Sequence, residues 1–279
     1  MIDFKIMQAG QCRHLECMAH RGGRLKMVPF PALFFLLVHR VQGPCLIDTG
    51  YGASMADALT EFPFNLYGRL LPVDVQPEET AAHRLRQIGI NPSDIRHIII
   101  THFHVDHVGG LRDFPKATFW SASSAWNSVR SLHGIKAVLN GYFPSMIPEN
   151  FDERHMAIET LPVACTGIGI EPLDKGFDLF GDGTVLLVPM PGHARGQYGA
   201  IFRTADGGQE FVIADACWSS IAFRKRRMPN VLAYPFLDHL RDYRRTLGAL
   251  HNLHNSNTGI RILPSHCAEV ARLQELPHA

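Results

Sequence analysis

Thr101-His-Phe-His-Val-Asp-His-Val-Gly-Gly110 is the stretch on which the reading of this chain turns. It follows the apolar run Ile98–Ile100 and ends in two glycines, so it reads as a strand that runs into a loop and then bends into a helix. His102 and His104 are two apart, and on extended backbone alternate side chains share a face. Asp106 and His107 fall where the chain turns, with Gly109 and Gly110 giving the turn room. Imidazole together with carboxylate suits zinc, iron or manganese better than calcium, which takes oxygen donors. Four donors this close in sequence cannot all reach one ion with good geometry, and two ions a few ångströms apart resolve the conflict. The competing reading is a chance cluster, since the chain holds 16 histidines. The order HxHxDH between a β run and GG is much more specific than composition.

Further apolar runs also end in residues of metal-binding type. CLIDTG carries Asp48, LLVPMPGH ends at His193, FVIADA carries Asp215 and IRILPSH ends at His266. In α/β proteins ligands bind at the carboxyl ends of strands, so this recurrence predicts that these residues converge. Ala32–Val38, Cys45–Ile47, Ile98–Ile100, Val185–Val188, Phe211–Ala214 and Ile260–Leu263 read as buried strands. Helices are expected at Thr80–Ile88, Phe236–Leu253 and Ala268–Leu276. The alternation indicates an α/β layered chain, read as a single domain over residues 1–279.

These residues together resemble the metallo-β-lactamase superfamily. HxHxDH matches its signature, PGHARG its PGH-x-x-G loop, Asp215 its bridging aspartate and LPSH its last ligand, so the resemblance spans nearly the whole chain. It implies a four-layer αββα sandwich with the metals at one edge of two sheets. It also implies one ion on His102, His104 and His193, a second on Asp106, His107 and His266, and Asp215 shared between them. The cofactors would be two divalent transition-metal ions, zinc first, with iron or manganese as alternatives. Asp48 would orient a ligand, although a plain turn aspartate is a nearly equal reading.

Two cations lower the pKa of a bridging water enough to supply hydroxide near neutral pH, and they polarise a carbonyl or phosphoryl oxygen. Asp106 can accept or relay a proton after attack. Within the superfamily the pattern is most similar to N-acyl-homoserine lactone lactonases and to related ester and thioester hydrolases. Those lactonases carry a tyrosine three residues after the bridging aspartate, and here that position is Trp218, whose indole donates one hydrogen bond and relays no proton. The expected activity is hydrolysis of a small lactone, ester or thioester with an apolar portion. Phosphodiester or phosphotriester hydrolysis on the same metals is the alternative, as is a weakly catalytic regulatory protein that keeps the fold and metals.

A formal net charge of +1 predicts no strong general attraction to nucleic acid or anionic membrane, and the resemblance implies a small-molecule substrate as the partner. A homodimer is left open. The first ten residues lack the apolar stretch of a secretory signal, the six cysteines form no CxxC pair, and the expected compartment is the cytoplasm. The stretch 121–162 is aromatic yet irregular and reads either as an active-site insertion, a lid, or as an ordinary helical connection with core aromatics. The substrate rim is assigned to Phe143 and Met146 in that stretch and to Arg224 in the basic run Arg224-Lys-Arg-Arg227, for which a solvated loop is the rival reading.

Overall fold

A computed structural model describes residues 1–275 and contains two mixed β-sheets. The first sheet is built from β1 (Ile2–Leu15), β2 (Met27–His39), β3 (Gly43–Ile47), β4 (Val73–Asp74), β5 (His97–Ile99), β6 (Thr118–Ser121) and β7 (His155–Ala157), in the order β4-β1-β2-β3-β5-β6-β7. The second contains β8 (Val163–Cys165), β9 (Lys175–Asp178), β10 (Val185–Pro189), β11 (Tyr198–Arg203), β12 (Gln209–Ala214) and β13 (Ile260–Pro264), in the order β13-β12-β11-β10-β9-β8. β3, β5, β6 and β7 run parallel, as do β12 and β13.

β2 sits inside the first sheet and is buried continuously from Phe30 to Leu37, which explains why its sequence shows an unbroken apolar run rather than alternation. Pro31 is tolerated there because it faces β1 next to a register shift between Gln8 and Gln11, where the ladder is already interrupted. Between the sheets, Phe35, Ile47 and Ile99 share one core with Leu187, Ala200 and Val212. On the outer face of the second sheet, Tyr243, Leu247 and Leu250 of the helix Leu240–Asn255 pack with Val188, Phe211 and Ile213. The layers are those of the αββα sandwich.

Several element boundaries differ from expectation for physical reasons. The long helix begins at Leu240 rather than Phe236, and Val231–Phe236 is a 3₁₀ turn that contains Pro235. Between them the amides of Asp238 and His239 donate to the carbonyls of His193 and Gly192 at 2.9 and 3.1 Å. That backbone is therefore tied to a site loop and cannot join the helix. The closing helix covers Ala268–Ala271 and tightens to 3₁₀ at Arg272–Glu275, while Leu276 lies outside the described residues.

Residues 121–162 hold the helices Ser123–Val129, Gly134–Leu139 and Phe151–Arg154, followed by β7, which extends the first sheet against β6. Trp126, Tyr142, Ile147 and Phe151 of this stretch belong to the main core.

Candidate metal centre

The strands deliver their ends to one edge of the sandwich. Asp48 follows β3 and His102–His107 follow β5 in the first sheet, while His193, Asp215 and His266 follow β10, β12 and β13 in the second. Two of these exits turn sharply through left-handed backbone, Asp48 at φ 59° and Ala214 at φ 47°. The helix Val105–Val108 carries Asp106 and His107. Gly109 then packs on the turn after β3 so closely that a Cβ on it would lie 2.6 Å from the amide nitrogen of Gly52. The glycine pair thus lets these two turns touch.

Two groups of donor atoms result: His102, His104, His193 and Asp215 form one, and Asp106, His107 and His266 form the other. In the first, His104 Nδ1 lies 3.0 Å from His102 Nε2 and 3.1 Å from His193 Nε2. In the second, the Nε2 atoms of His107 and His266 face each other at 3.2 Å, with Asp106 Oδ2 3.4 Å from His266 Nε2. Asp215 stands between them: Oδ2 is 3.3 Å from His193 Nε2, and Oδ1 is 3.3 and 3.1 Å from the Nε2 atoms of His107 and His266.

The outer contacts fix the ring orientations. His107 Nδ1 donates to Asp48 Oδ2 at 2.7 Å and His266 Nδ1 donates to the Pro31 carbonyl at 2.7 Å, so each ring turns its Nε2 inward. The carboxylate of Asp48 also accepts from the Thr101 amide at 2.9 Å and hydroxyl at 2.8 Å, and the latter lies 3.1 Å from His102 Nδ1. Thr101 is a working member of this network that sequence reading passed over, and its adjacency to His102 at a strand end was the available signal. Converging lone pairs repel unless a cation lies between them. Donors on a tetrahedral ion with bonds of 2.0–2.1 Å stand roughly 3.3 Å apart, close to the spacings found here. Asp215 Oδ1 is moreover a buried oxygen with no hydrogen-bond partner. The donor set fits one divalent transition-metal ion in each group.

Electrostatics separates the two groups. Burial depresses His102 well below the usual imidazole range and His193 to about 3, so both rings are neutral donors. Burial opposes charge on His107 as well, yet the carboxylates of Asp48, Asp215 and Asp106 outweigh it and hold that ring well above its ordinary value. His266 is raised against burial by Asp215 and Asp106. Asp215 is held well below the usual carboxylate range, with burial opposed by His266, His107 and His193. The second group is thus a place where positive charge is strongly favoured.

A cavity of about 490 Å³ opens over both groups, with apolar walls that include Phe30, Leu71, Phe103, Leu139 and Phe236. Residues of the 121–162 stretch form one side, among them Ala125, Val129 and Gly141, and Gly141 packs against the His104 ring. The rim residues expected from sequence are placed elsewhere. Phe143 and Met146 are fully buried one layer behind the wall, where Phe143 packs edge-on against cavity-lining Tyr67, because aromatic bulk in this stretch fills core rather than pocket. Arg224 pairs with Glu269 at 2.8 Å and is not among the lining residues. Trp218 does line the cavity, but its indole N–H donates to Asp215 Oδ2 at 2.8 Å, so it is committed to that carboxylate and not offered to a substrate carbonyl.

Asp48→Asn is a clean test of the outer shell, since asparagine also tolerates the left-handed backbone at this position. Loss of the negative charge behind His107 should weaken metal retention about 10–100-fold, read by competition with a chromogenic chelator. Retention equal to that of the unsubstituted protein would show that the carboxylate only shapes the turn.

Comparison with known proteins agrees with this fold. Residues 28–208 match the model of the metallo-beta-lactamase superfamily. A Mycobacterium tuberculosis protein named "Probable metallo-hydrolase" is 31% identical over 245 residues, covering 79% of this chain and 70% of that protein. The N-acyl homoserine lactonase AttM of Azorhizobium caulinodans is 25% identical over 244 residues, covering 84% of each. Among solved structures, a mutant of B. thuringiensis AiiA with N-decanoyl-L-homoserine bound at its active site superposes with a TM-score of 0.74 at 18% identity, over 97% of this chain and 95% of that one. The fold and the relatives define a metal-dependent hydrolase. The chain belongs to the metallo-β-lactamase superfamily.

Proposed function

We propose that this protein hydrolyses a small lactone, ester or thioester with an apolar portion, at a two-metal centre. The observation that carries this reading is the meeting of two donor groups at Asp215 beneath a cavity with largely apolar walls. His102, His104 and His193 would hold one ion and Asp106, His107 and His266 the other, with one oxygen of Asp215 toward each. Zinc suits this imidazole-rich set best. When bound, such a pair of ions supplies hydroxide at neutral pH and a Lewis acid for the carbonyl oxygen.

The chain's own groups do the rest. Asp106 keeps 13% of its side chain exposed to the cavity and is the acceptor placed to take a proton as attack proceeds. Trp218 restrains Asp215, and Asp48 restrains His107. Phe30, Phe103 and Leu139 shield the reacting carbonyl from bulk water and receive the apolar part of the substrate. The lactonase relatives support the carbonyl class of substrate. No helix among the described residues is long and apolar enough to cross a membrane, and the free thiols Cys12, Cys17, Cys45, Cys217 and Cys267 are buried, in keeping with a reducing compartment such as the cytoplasm.

The test is a screen of lactones, p-nitrophenyl esters, acyl thioesters and bis-p-nitrophenyl phosphate on metal-replete protein. Turnover of one or more carbonyl substrates is expected, and turnover of the phosphodiester alone would overturn the reading. Trp218→Phe keeps an aromatic ring but removes the donor to Asp215. It should weaken metal retention about 10–100-fold by chelator competition, and unaltered retention would remove the positioning role of the indole.

A further inference from the structure

We infer that Tyr67 donates a hydrogen bond from its phenol to the carbonyl oxygen of the substrate as negative charge develops there, the task that Trp218 does not perform. This rests on the carbonyl-hydrolase reading above.

The cavity holds few uncharged donors, and most are already committed. Trp218 donates to Asp215 Oδ2 at 2.8 Å, Ser128 Oγ to the Ala125 carbonyl at 2.7 Å, and the Asn140 side-chain amide to the Lys136 carbonyl at 2.8 Å. Tyr67, on the helix Asn65–Leu70, also lines the cavity. Its ring is steadied edge-on by Phe143, with centroids 5.3 Å apart. Its hydroxyl lies 3.3 Å from that of Tyr51.

The direction of that bond decides what Tyr67 can do. Tyr51 is fully buried, with the oxygen of Tyr67 3.3 Å from its hydroxyl and the Cys12 thiol as its other side-chain partner. A buried hydroxyl needs an acceptor, and a phenol oxygen is a better one than a thiol sulfur, so Tyr51 donates and Tyr67 accepts. The Tyr67 proton is then free to point into the cavity. Burial and then the charge of Asp106 hold this phenol well above its ordinary pKa, so it stays a donor. A second neutral candidate is His14, whose Nδ1 accepts from the Leu15 amide at 2.7 Å and whose Nε2 can therefore donate. Tyr67 is the better held of the two, with its ring set edge-on against Phe143 and its oxygen against the Tyr51 hydroxyl.

The experiment compares the metal-loaded protein with its Tyr67→Phe, Tyr51→Phe and His14→Gln variants on a lactone and a p-nitrophenyl ester, with metal content and circular dichroism measured on each. Tyr67→Phe should lower kcat at least about tenfold and up to ~10³-fold on both substrates, as loss of an oxyanion donor does, while KM stays within about twofold and metal content is unchanged. A change confined to KM would show that Tyr67 only shapes the pocket and would overturn the inference. A kcat loss in His14→Gln but not in Tyr67→Phe would also overturn it. Should Tyr67→Phe lose metal or fold, Tyr51→Phe decides: the orienting bond is gone but the phenol stays, so kcat should fall severalfold at steady KM, and an unchanged kcat would refute the role. Inactivity of the unsubstituted protein on every carbonyl substrate would overturn the functional reading and this inference together, and is distinguishable because it appears before any substitution is made.

Discussion

Asp106→Asn should lower kcat on any accepted substrate by roughly 10²–10⁴-fold, the usual contribution of a positioned general base or acid. The substitution keeps the size and shape of the side chain, so the helix Val105–Val108 and the packing around it should persist. What changes is the charge and the capacity to accept a proton. Asp106 is the least buried of the clustered carboxylates, with 13% of its side chain exposed against 4% for Asp215, which is why the proton role falls to it. Because Asp106 also belongs to the second donor group, kinetics must be read beside elemental analysis on the same sample. Near-normal turnover with both ions retained would show that the carboxylate is dispensable for the chemistry.

Removal of the metals should be the other large effect. Metal-replete protein should carry close to two transition-metal ions per chain, and one or none would sink the dinuclear reading. His266→Ala should lose one ion selectively, since His102, His104, His193 and Asp215 remain together. Dialysis against a strong chelator should abolish hydrolysis, and zinc should restore it. Stability should follow, because ions that bind only the folded chain stabilise it by about 4 kcal/mol at a thousandfold excess over Kd. For a chain of 279 residues that corresponds to roughly 7 °C in Tm. An unchanged melting curve after chelation would show that the clustered rings and carboxylates stand without ions.

The convergence of these side chains was legible in the sequence because they stand as polar ends of apolar runs. His102, His104, His107, His193, Asp215 and His266 each follow a stretch that has no other reason to finish in an ionisable group. The αββα layering was legible through the resemblance that these residues carry. What stayed hidden depends on three-dimensional direction. Position 218 invited comparison with a substrate-facing hydroxyl, but its indole turns to Asp215, a contact that no spacing encodes. Phe143 and Met146 looked like pocket residues because aromatic and sulfur-bearing side chains serve equally in pockets and cores, and only burial distinguishes them. Tyr67 gave no signal at all, since its value lies in a bond to Tyr51, far from the HxHxDH segment in sequence. The helix start at Leu240 was misread for a related reason: the residues before it answer to the carbonyls of Gly192 and His193.

The division of the donors between the sheets has a temporal consequence. Chains emerge from the ribosome N-terminus first, at about 5–20 residues per second. The first sheet is complete once β7 has appeared, and by then His102, His104, Asp106 and His107 already lie along its open edge. The second sheet brings His193, then Asp215, and His266 only on β13, its edge strand. The proposed centre therefore cannot close before the last strand docks beside β12. Filling of the position that needs His266 becomes a late event in the life of the nascent chain, after the other group of donors has already met.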